Sequence, residues 1–162
     1  GQISPTSEVG MKTKSTPFGS VELPINPIAN AITAGATWVA RGYTGNIKQL
    51  TRLIVEGIQH EGFALLDVFS PCVTFNKVNT YQFFRPRVQP LEDIEHDASD
   101  WKAGIEKAMV WGDVIHTGLF FKTNTRLTLG EQEPVLDEGG PLAFRELGLS
   151  SEQTERIISR MM

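Results

Sequence analysis

Few residues in this sequence are equipped for chemistry, and the most conspicuous is Cys72, the only cysteine of the chain, set in Ser70-Pro71-Cys72-Val73-Thr74-Phe75-Asn76. A thiolate is a nucleophile or a metal ligand. A catalytic thiol needs a base such as histidine beside it, and none of His60, His96 and His116 stands in a motif that ties it to Cys72. A thiolate metal centre needs several sulfurs. One cysteine cannot supply them, so a ligand role for Cys72 requires companions from other polypeptide. The remaining reading is a small buried hydrophobe. His96-Asp97 has the order of a general base with its orienting carboxylate, and the same residues fit a helix cap. Lys12 and Lys14 lie among hydroxyls in a Ser-, Thr-, Pro- and Gly-rich opening segment, which could meet a phosphate or a carboxylate or simply face water. P-loop, GxGxxG, HExxH and GxSxG patterns are absent.

The elements that position these residues follow from periodicity. Residues 1–26 read as extended chain with turns at Pro5 and Pro17. Asn26-Pro27 is a helix start, N-cap then first turn, and helical spacing of Ile28, Ile32 and Val39 predicts a helix reaching Arg41 and stopping at Gly42. Thr44-Gly45-Asn46 introduces a second helix with Ile47, Leu50, Ile54 and Ile58 as its buried stripe and Gln49, Arg52 and Glu56 on the wet side. The apolar run from Phe63, bounded by Gly62 and Pro71, predicts a buried strand. Cys72 then stands where that strand leaves the sheet, the edge at which α/β proteins gather ligands.

Farther on, Tyr81, Phe83 and Phe84 form an aromatic group suited to a core or a subunit interface. Arg85 to Pro90 should break regular structure. Asp97 or Ser99 is the expected cap of a helix over Trp101–Met109, with the acidic cluster Glu92, Asp93, Glu95, Asp97 and Asp100 as a solvated face. Gly118–Phe121 predicts a short strand and residues 122–141 an irregular arm. Ser150 with Gln153 is a capping box for a last helix carrying Ile157 and Ile158.

The chain has 162 residues, enough for one domain with a sizeable core. Its net charge of −4 and pI near 5.4 argue against nucleic acid as a partner, because phosphate neutralisation needs clustered Lys and Arg. No apolar stretch approaches the roughly 20 residues of a membrane span, and no signal peptide opens the chain. A single cysteine gives no internal disulfide, which favours the cytoplasm. The first residue is Gly1 rather than methionine, the expectation for a processed chain or a piece of a longer one.

Several separated motifs then agree in order. They are Gly1-Gln2-Ile3-Ser4-Pro5-Thr6, Thr16-Pro17-Phe18-Gly19, Asn26-Pro27, Gly35-Ala-Thr-Trp-Val-Ala-Arg-Gly42 and Ser70–Asn76. This set resembles the β subunits of 2-oxoacid:ferredoxin oxidoreductases, and the Ser70–Asn76 form is closer to the 2-oxoglutarate or broad 2-oxoacid type than to the pyruvate type. His96-Asp97 with Asp100 and the Gly118–Phe121 strand resemble the family's C-terminal extension. The resemblance implies an α/β thiamine-diphosphate-binding fold, present as its C-terminal portion over residues 1–76, followed by the extension over 77–162. It implies CoA-acylating oxidative decarboxylation of a 2-oxoacid, with electrons passed through a 4Fe–4S cluster to ferredoxin. By resemblance Cys72 is the fourth cluster ligand, and Gln2, Ser4 and Thr6 lie near thiamine diphosphate. The family's Gly-Asp-Gly … Asn motif for Mg²⁺ and its three other cysteines lie upstream of Gly1. All three cofactors therefore require residues outside this chain, from the N-terminal part of the β subunit, beside an α subunit. A second function class is a non-catalytic assembly subunit in which Cys72 is plain core.

Overall fold

The computed structural model describes residues 2–137, 139, 141–145 and 148–161; Gly1 of the opening motif and positions 138 and 140 of the 122–141 arm lie outside them. The chain forms two compact units, 1–126 and 127–162. The first is built on a mixed sheet in the order β2-β1-β4-β3. Strands β1 (Trp38–Tyr43) and β2 (Ala64–Phe69) are parallel, β4 (Ile115–Lys122) runs antiparallel to β1, and β3 (Val88–Pro90) lies parallel to β4. β4, after residue 76, pairs with β1, before it.

Helix α1 (Pro27–Thr33) starts where the sequence places it: Asn26 Oδ1 accepts the Ala29 amide at 3.1 Å, and Pro27 follows the cap. It does not reach Arg41. Gly35 adopts φ +95°, and its amide bonds the Ile32 carbonyl while Ala36 bonds that of Ala31. This pair of bonds closes the helix C-terminus, with the left-handed residue at the position glycine favours. The residues read as the rest of that helix are instead β1, buried along its whole length. Val39 happens to fall at helical spacing from Ile28 and Ile32, and an apolar run buried on both faces carries no strand alternation to announce itself.

Helix α2 (Ile47–Gln59) is capped by Asn46, whose Oδ1 accepts the Gln49 amide at 3.2 Å. Its buried residues are Gln49 and Leu53, while the predicted stripe members Ile47, Ile54 and Ile58 are exposed. The helix carries a wider apolar arc than the sheet covers, and the contact line is set by Trp38 and Leu53. Gln49 is held in the interior by Glu92, whose Oε2 accepts its Nε2 donor at 2.9 Å. Arg52 pairs with Glu92 as well, so Glu92 belongs to this network rather than to a purely solvated acidic face. β2 is an edge strand, half-buried rather than buried.

The other face of the sheet is covered by α1 and α4 (Trp101–Met109), around Ile28, Val39, Leu91 and Phe120. A Cβ built on Gly104 would sit 2.7 Å from the Phe120 carbonyl oxygen, so glycine lets α4 lie directly on β4. The α4 cap is Asp100, which accepts the Lys102 amide at 2.8 Å, not Asp97 or Ser99. Asp97 accepts from the Ser99 amide and hydroxyl in a local turn instead. The aromatic group forms α3 (Tyr81–Phe84), which seats Phe84 against Tyr43, Phe69 and Ile115 as core. Despite its prolines, 85–90 yields β3: Pro90 ends a short edge strand, where its missing N–H disturbs little.

The second unit holds the short helices α5 (Leu129–Gln132) and α6 (Pro134–Asp137) and then α7 (Ser151–Ile158). The capping box at Ser150 is formed with Gln153 as the spacing predicts. No helix is long and apolar enough to cross a membrane among the described residues.

His116 sits in β4 with 4% of its surface exposed. Burial holds its pKa below the usual histidine value, and the charges of Lys107, His96 and Arg41 push the same way against a backbone bond at Gln89. In the unfolded chain it titrates near about 6.5. A depressed folded pKa leaves stability undiminished above that pH and lowers it as the pH falls below. His60 is depressed in the same direction by burial and by Lys122. Urea midpoints are expected to hold steady from about pH 8 to 7 and to drop between about pH 6.5 and 5; replacing His116 by glutamine should flatten that drop.

Candidate functional site

The chain leaves β2 at Phe69, passes the buried Pro71 and delivers Cys72 to the surface as an exposed, free thiol. The reading of Cys72 as plain core is thereby overturned. The backbone amides of Phe75 and Asn76, and less so that of Thr74, hold the thiol below its usual range. The turn that carries them is fixed locally. The Asn76 amide bonds the Cys72 carbonyl at 3.1 Å. Asn76 Oδ1 accepts from the amides of Val78 and Asn79 at 2.9 Å each, and Lys77 Nζ donates to the Val73 carbonyl at 2.7 Å. Successive amides around a thiolate offset its charge, the arrangement an anionic sulfur or a metal-bound one requires.

Cys72 lines a cleft of about 540 Å³ with Ser4, Thr6, Phe69, Asn76 and Trp111. Ser4 and Thr6 reach it on a loop closed by the Ser7 amide on the Ser4 carbonyl at 2.9 Å, with their hydroxyls 2.8 Å apart. That loop turns at Pro5, as expected, and Pro17 sits in a second turn. Gln2 is exposed and does not line the cleft. The structure thus brings together Ser4, Thr6 and Cys72, from positions far apart in sequence.

The histidines stand elsewhere. His96 Nε2 lies 3.0 Å from the Phe120 carbonyl, His60 Nε2 lies 2.8 Å from Thr37 Oγ1, and none of the three lines the Cys72 cleft. The His96-Asp97 pair is accounted for by this packing and by the Asp97 turn, which holds the Asp97 carboxyl below its usual range through Ser99. Among the described residues no group of three or more His, Cys, Asp or Glu side chains could hold a metal ion. Val73, Phe75 and Val78, close to Cys72 in sequence, are exposed apolar side chains.

A buried cation beside the cleft escaped the sequence reading. Arg41, the cross-strand partner of Asp67, is 2% exposed and donates from Nε to Asp67 Oδ2 at 3.0 Å. Burial lowers its pKa from the ordinary arginine value, while Asp67 pulls the other way. Placed at a helix C-terminus, an arginine needs no special account; placed mid-strand inside a core, it does. The available signal was the charge itself, flanked by Trp38-Val-Ala and Gly-Tyr43.

Residues 72–138 match the family model for the C terminal of the pyruvate ferredoxin oxidoreductase beta subunit. The chain is 39% identical over 136 residues to a 2-oxoacid:ferredoxin oxidoreductase subunit beta from a Sulfolobus species, covering 75% of this chain and 43% of that protein. It is 46% identical over 76 residues to the 2-oxoglutarate oxidoreductase subunit KorB of Mycobacterium tuberculosis, covering 47% of this chain and 20% of the relative. Its fold matches a chain of the 2-oxoglutarate:ferredoxin oxidoreductase from Magnetococcus marinus, a structure with 2-oxoglutarate, coenzyme A and succinyl-CoA bound. The TM-score is 0.78 at 36% identity, over 100% of this chain and 53% of that one. The chain spans about half the length of the Sulfolobus and Magnetococcus proteins. This chain belongs to the family of 2-oxoacid:ferredoxin oxidoreductase β subunits and corresponds to its C-terminal portion.

Proposed function

We propose that the chain works within a 2-oxoacid:ferredoxin oxidoreductase of the 2-oxoglutarate type, assembled with an α subunit and the N-terminal part of the β subunit, and that Cys72 is one of four thiolates on a 4Fe–4S cluster. Residues 1–76 are then the C-terminal part of the thiamine-diphosphate-binding domain and 77–162 the extension. The observation that carries the reading is the exposed Cys72 sulfur on the wall of a cleft shared with Ser4 and Thr6. When bound, thiamine diphosphate with Mg²⁺ supplies the decarboxylation chemistry, and the cluster carries electrons toward ferredoxin as coenzyme A takes the acyl group.

This chain's own residues bind and shield. Cys72 contributes a sulfur whose thiol the amides of Phe75, Asn76 and Thr74 hold below its usual range, and such donors also tune a cluster's potential. Val73, Phe75 and Val78 offer exposed apolar surface near it in the chain for other polypeptide to cover. Ser4 and Thr6 present hydroxyls to the same cleft, where they orient a phosphate or a polar cofactor edge, and Gln2 precedes them in the chain outside its lining.

In the full-length assembled enzyme, iodoacetamide is expected to alkylate Cys72 at least about tenfold more slowly when the cluster is loaded than after iron is removed by chelation. Peptide mass spectrometry reads the site. Equal alkylation in the two states would remove Cys72 from the ligand set.

A further inference from the structure

The charges of this acidic chain are unevenly placed. Residues 9–21 hold Lys12 and Lys14, residues 68–91 hold Lys77, Arg85 and Arg87, and all 19 Asp and Glu lie outside both segments. The fold brings the two segments together at the Cys72 cleft, which takes Gly10 and Met11 from the first and Pro71, Asn76, Val78 and Phe84 from the second. Lys12 and Lys14 ride on a hairpin rooted at that wall. There the Gly10 amide bonds the Ser20 carbonyl at 2.7 Å, and the Ser20 amide bonds that of Met11 at 3.1 Å. Lys77 and Arg85 directly follow Asn76 and Phe84. Lys12, Lys14, Lys77 and Arg85 are exposed. None of them pairs with a carboxylate among the described residues, where the ion pairs are those of Arg41 and Arg52. Glu8 is the carboxylate on the cleft wall and opposes them.

We propose that this basic rim docks the acidic face of an electron-carrier protein beside Cys72. This rests on the oxidoreductase reading above and names the residues that meet the acceptor. Unpaired cations on a chain of net charge −4 leave a local positive field, and such a field steers an oppositely charged protein. A redox encounter must form and part at every turnover, so it is small and weak. Exposed charges suit it, because they raise the rate of encounter and set orientation more than they add affinity. Coenzyme phosphates are the other anions that these cations could meet.

The test uses the full-length assembled enzyme and oxidised ferredoxin. Lys14→Glu and Arg85→Glu are each expected to raise the Kd for ferredoxin, read by titration calorimetry, about 3- to 10-fold, and together about 10- to 100-fold. The KM for ferredoxin should follow, while methyl viologen reduction and the KM values for 2-oxoglutarate and coenzyme A stay put. Raising NaCl from about 0.05 to 0.5 M should weaken wild-type binding and leave the double variant nearly flat. Lys77 is left in place because its ammonium also closes the Cys72 turn on the Val73 carbonyl. Lys102→Glu is the control for total charge. Lys102 follows Ala98, whose carbonyl takes the Lys122 amide where β4 ends opposite Trp38, whereas Cys72 lies past the other end of β1 and β2. Its reversal should move the Kd by less than about twofold.

Unchanged ferredoxin Kd in the double variant overturns the proposal, as does an equal loss in Lys102→Glu. A rise in the KM for coenzyme A with ferredoxin binding intact overturns it too, and would assign the cations to the coenzyme's phosphates. Failure of the cluster reading is separate: Cys72 would alkylate with or without iron while ferredoxin binding still answered to Lys14 and Arg85.

Discussion

Replacing Cys72 by alanine in the assembled enzyme is expected to abolish the intact 4Fe–4S signal and to lower ferredoxin reduction by at least about 100-fold, beyond the 10- to 100-fold typical of outer-shell changes at metal sites. The size of the effect follows from the geometry. The sulfur is exposed, and on the proposed ligand reading its removal takes away one of the four attachments of the cluster. Little fold stability should go with it. An exposed side chain that packs against nothing buried costs within about 0.5 kcal/mol when truncated. Electron paramagnetic resonance and iron content read the cluster, and a denaturation curve reads the fold. A variant with wild-type cluster signal and turnover would end the ligand assignment. A variant that unfolds would show that Cys72 is structural after all.

The second large effect is one of stability. Trp38→Ala should lower the unfolding free energy of the β subunit by about 3–5 kcal/mol, the usual cost of emptying a large aromatic site. Trp38 is 1% exposed and stands between β1 and α2, against Ala40, Leu53, Ala64, Leu66 and Leu119. Its space cannot be reclaimed by a small shift of the helix alone, because the indole is also wedged on Gly57, where an added Cβ would come within 3.2 Å of it. Trp101→Ala is the control. That indole is 50% exposed at the start of α4, and its loss should cost about 1 kcal/mol or less. Urea denaturation of the two variants compares them directly, and near-equal losses would show that β1 is not the centre of the core.

Local signals in the chain were sufficient for local features. Asn26-Pro27, Asn46 and Ser150 announce helix starts because a capping side chain bonds an amide only a few residues away. The approach of a strand to Cys72 was legible from the Phe63–Pro71 run for the same reason. The family motifs, being ordered strings, also needed no folding to be read. What the sequence could not assign was which face of each segment meets which neighbour.

The run up to Arg41 reads as the end of a helix until β4 is found on one side of it and β2 on the other. The isoleucines of α2 look like its buried stripe until Leu53 and Gln49 take that place. Arg41 looks like a helix end until the register sets it opposite Asp67 and under Trp111. Composition and short-range bonding by themselves therefore determined the helix starts at Asn26, Asn46 and Ser150, the turns at Pro5 and Pro17, the single sulfur and the family. Only tertiary structure decided that the sulfur is open to solvent, and that a buried cation lines the adjoining cavity. Burial and pairing are properties of contacts between distant residues, and those contacts exist only once the sheet has closed.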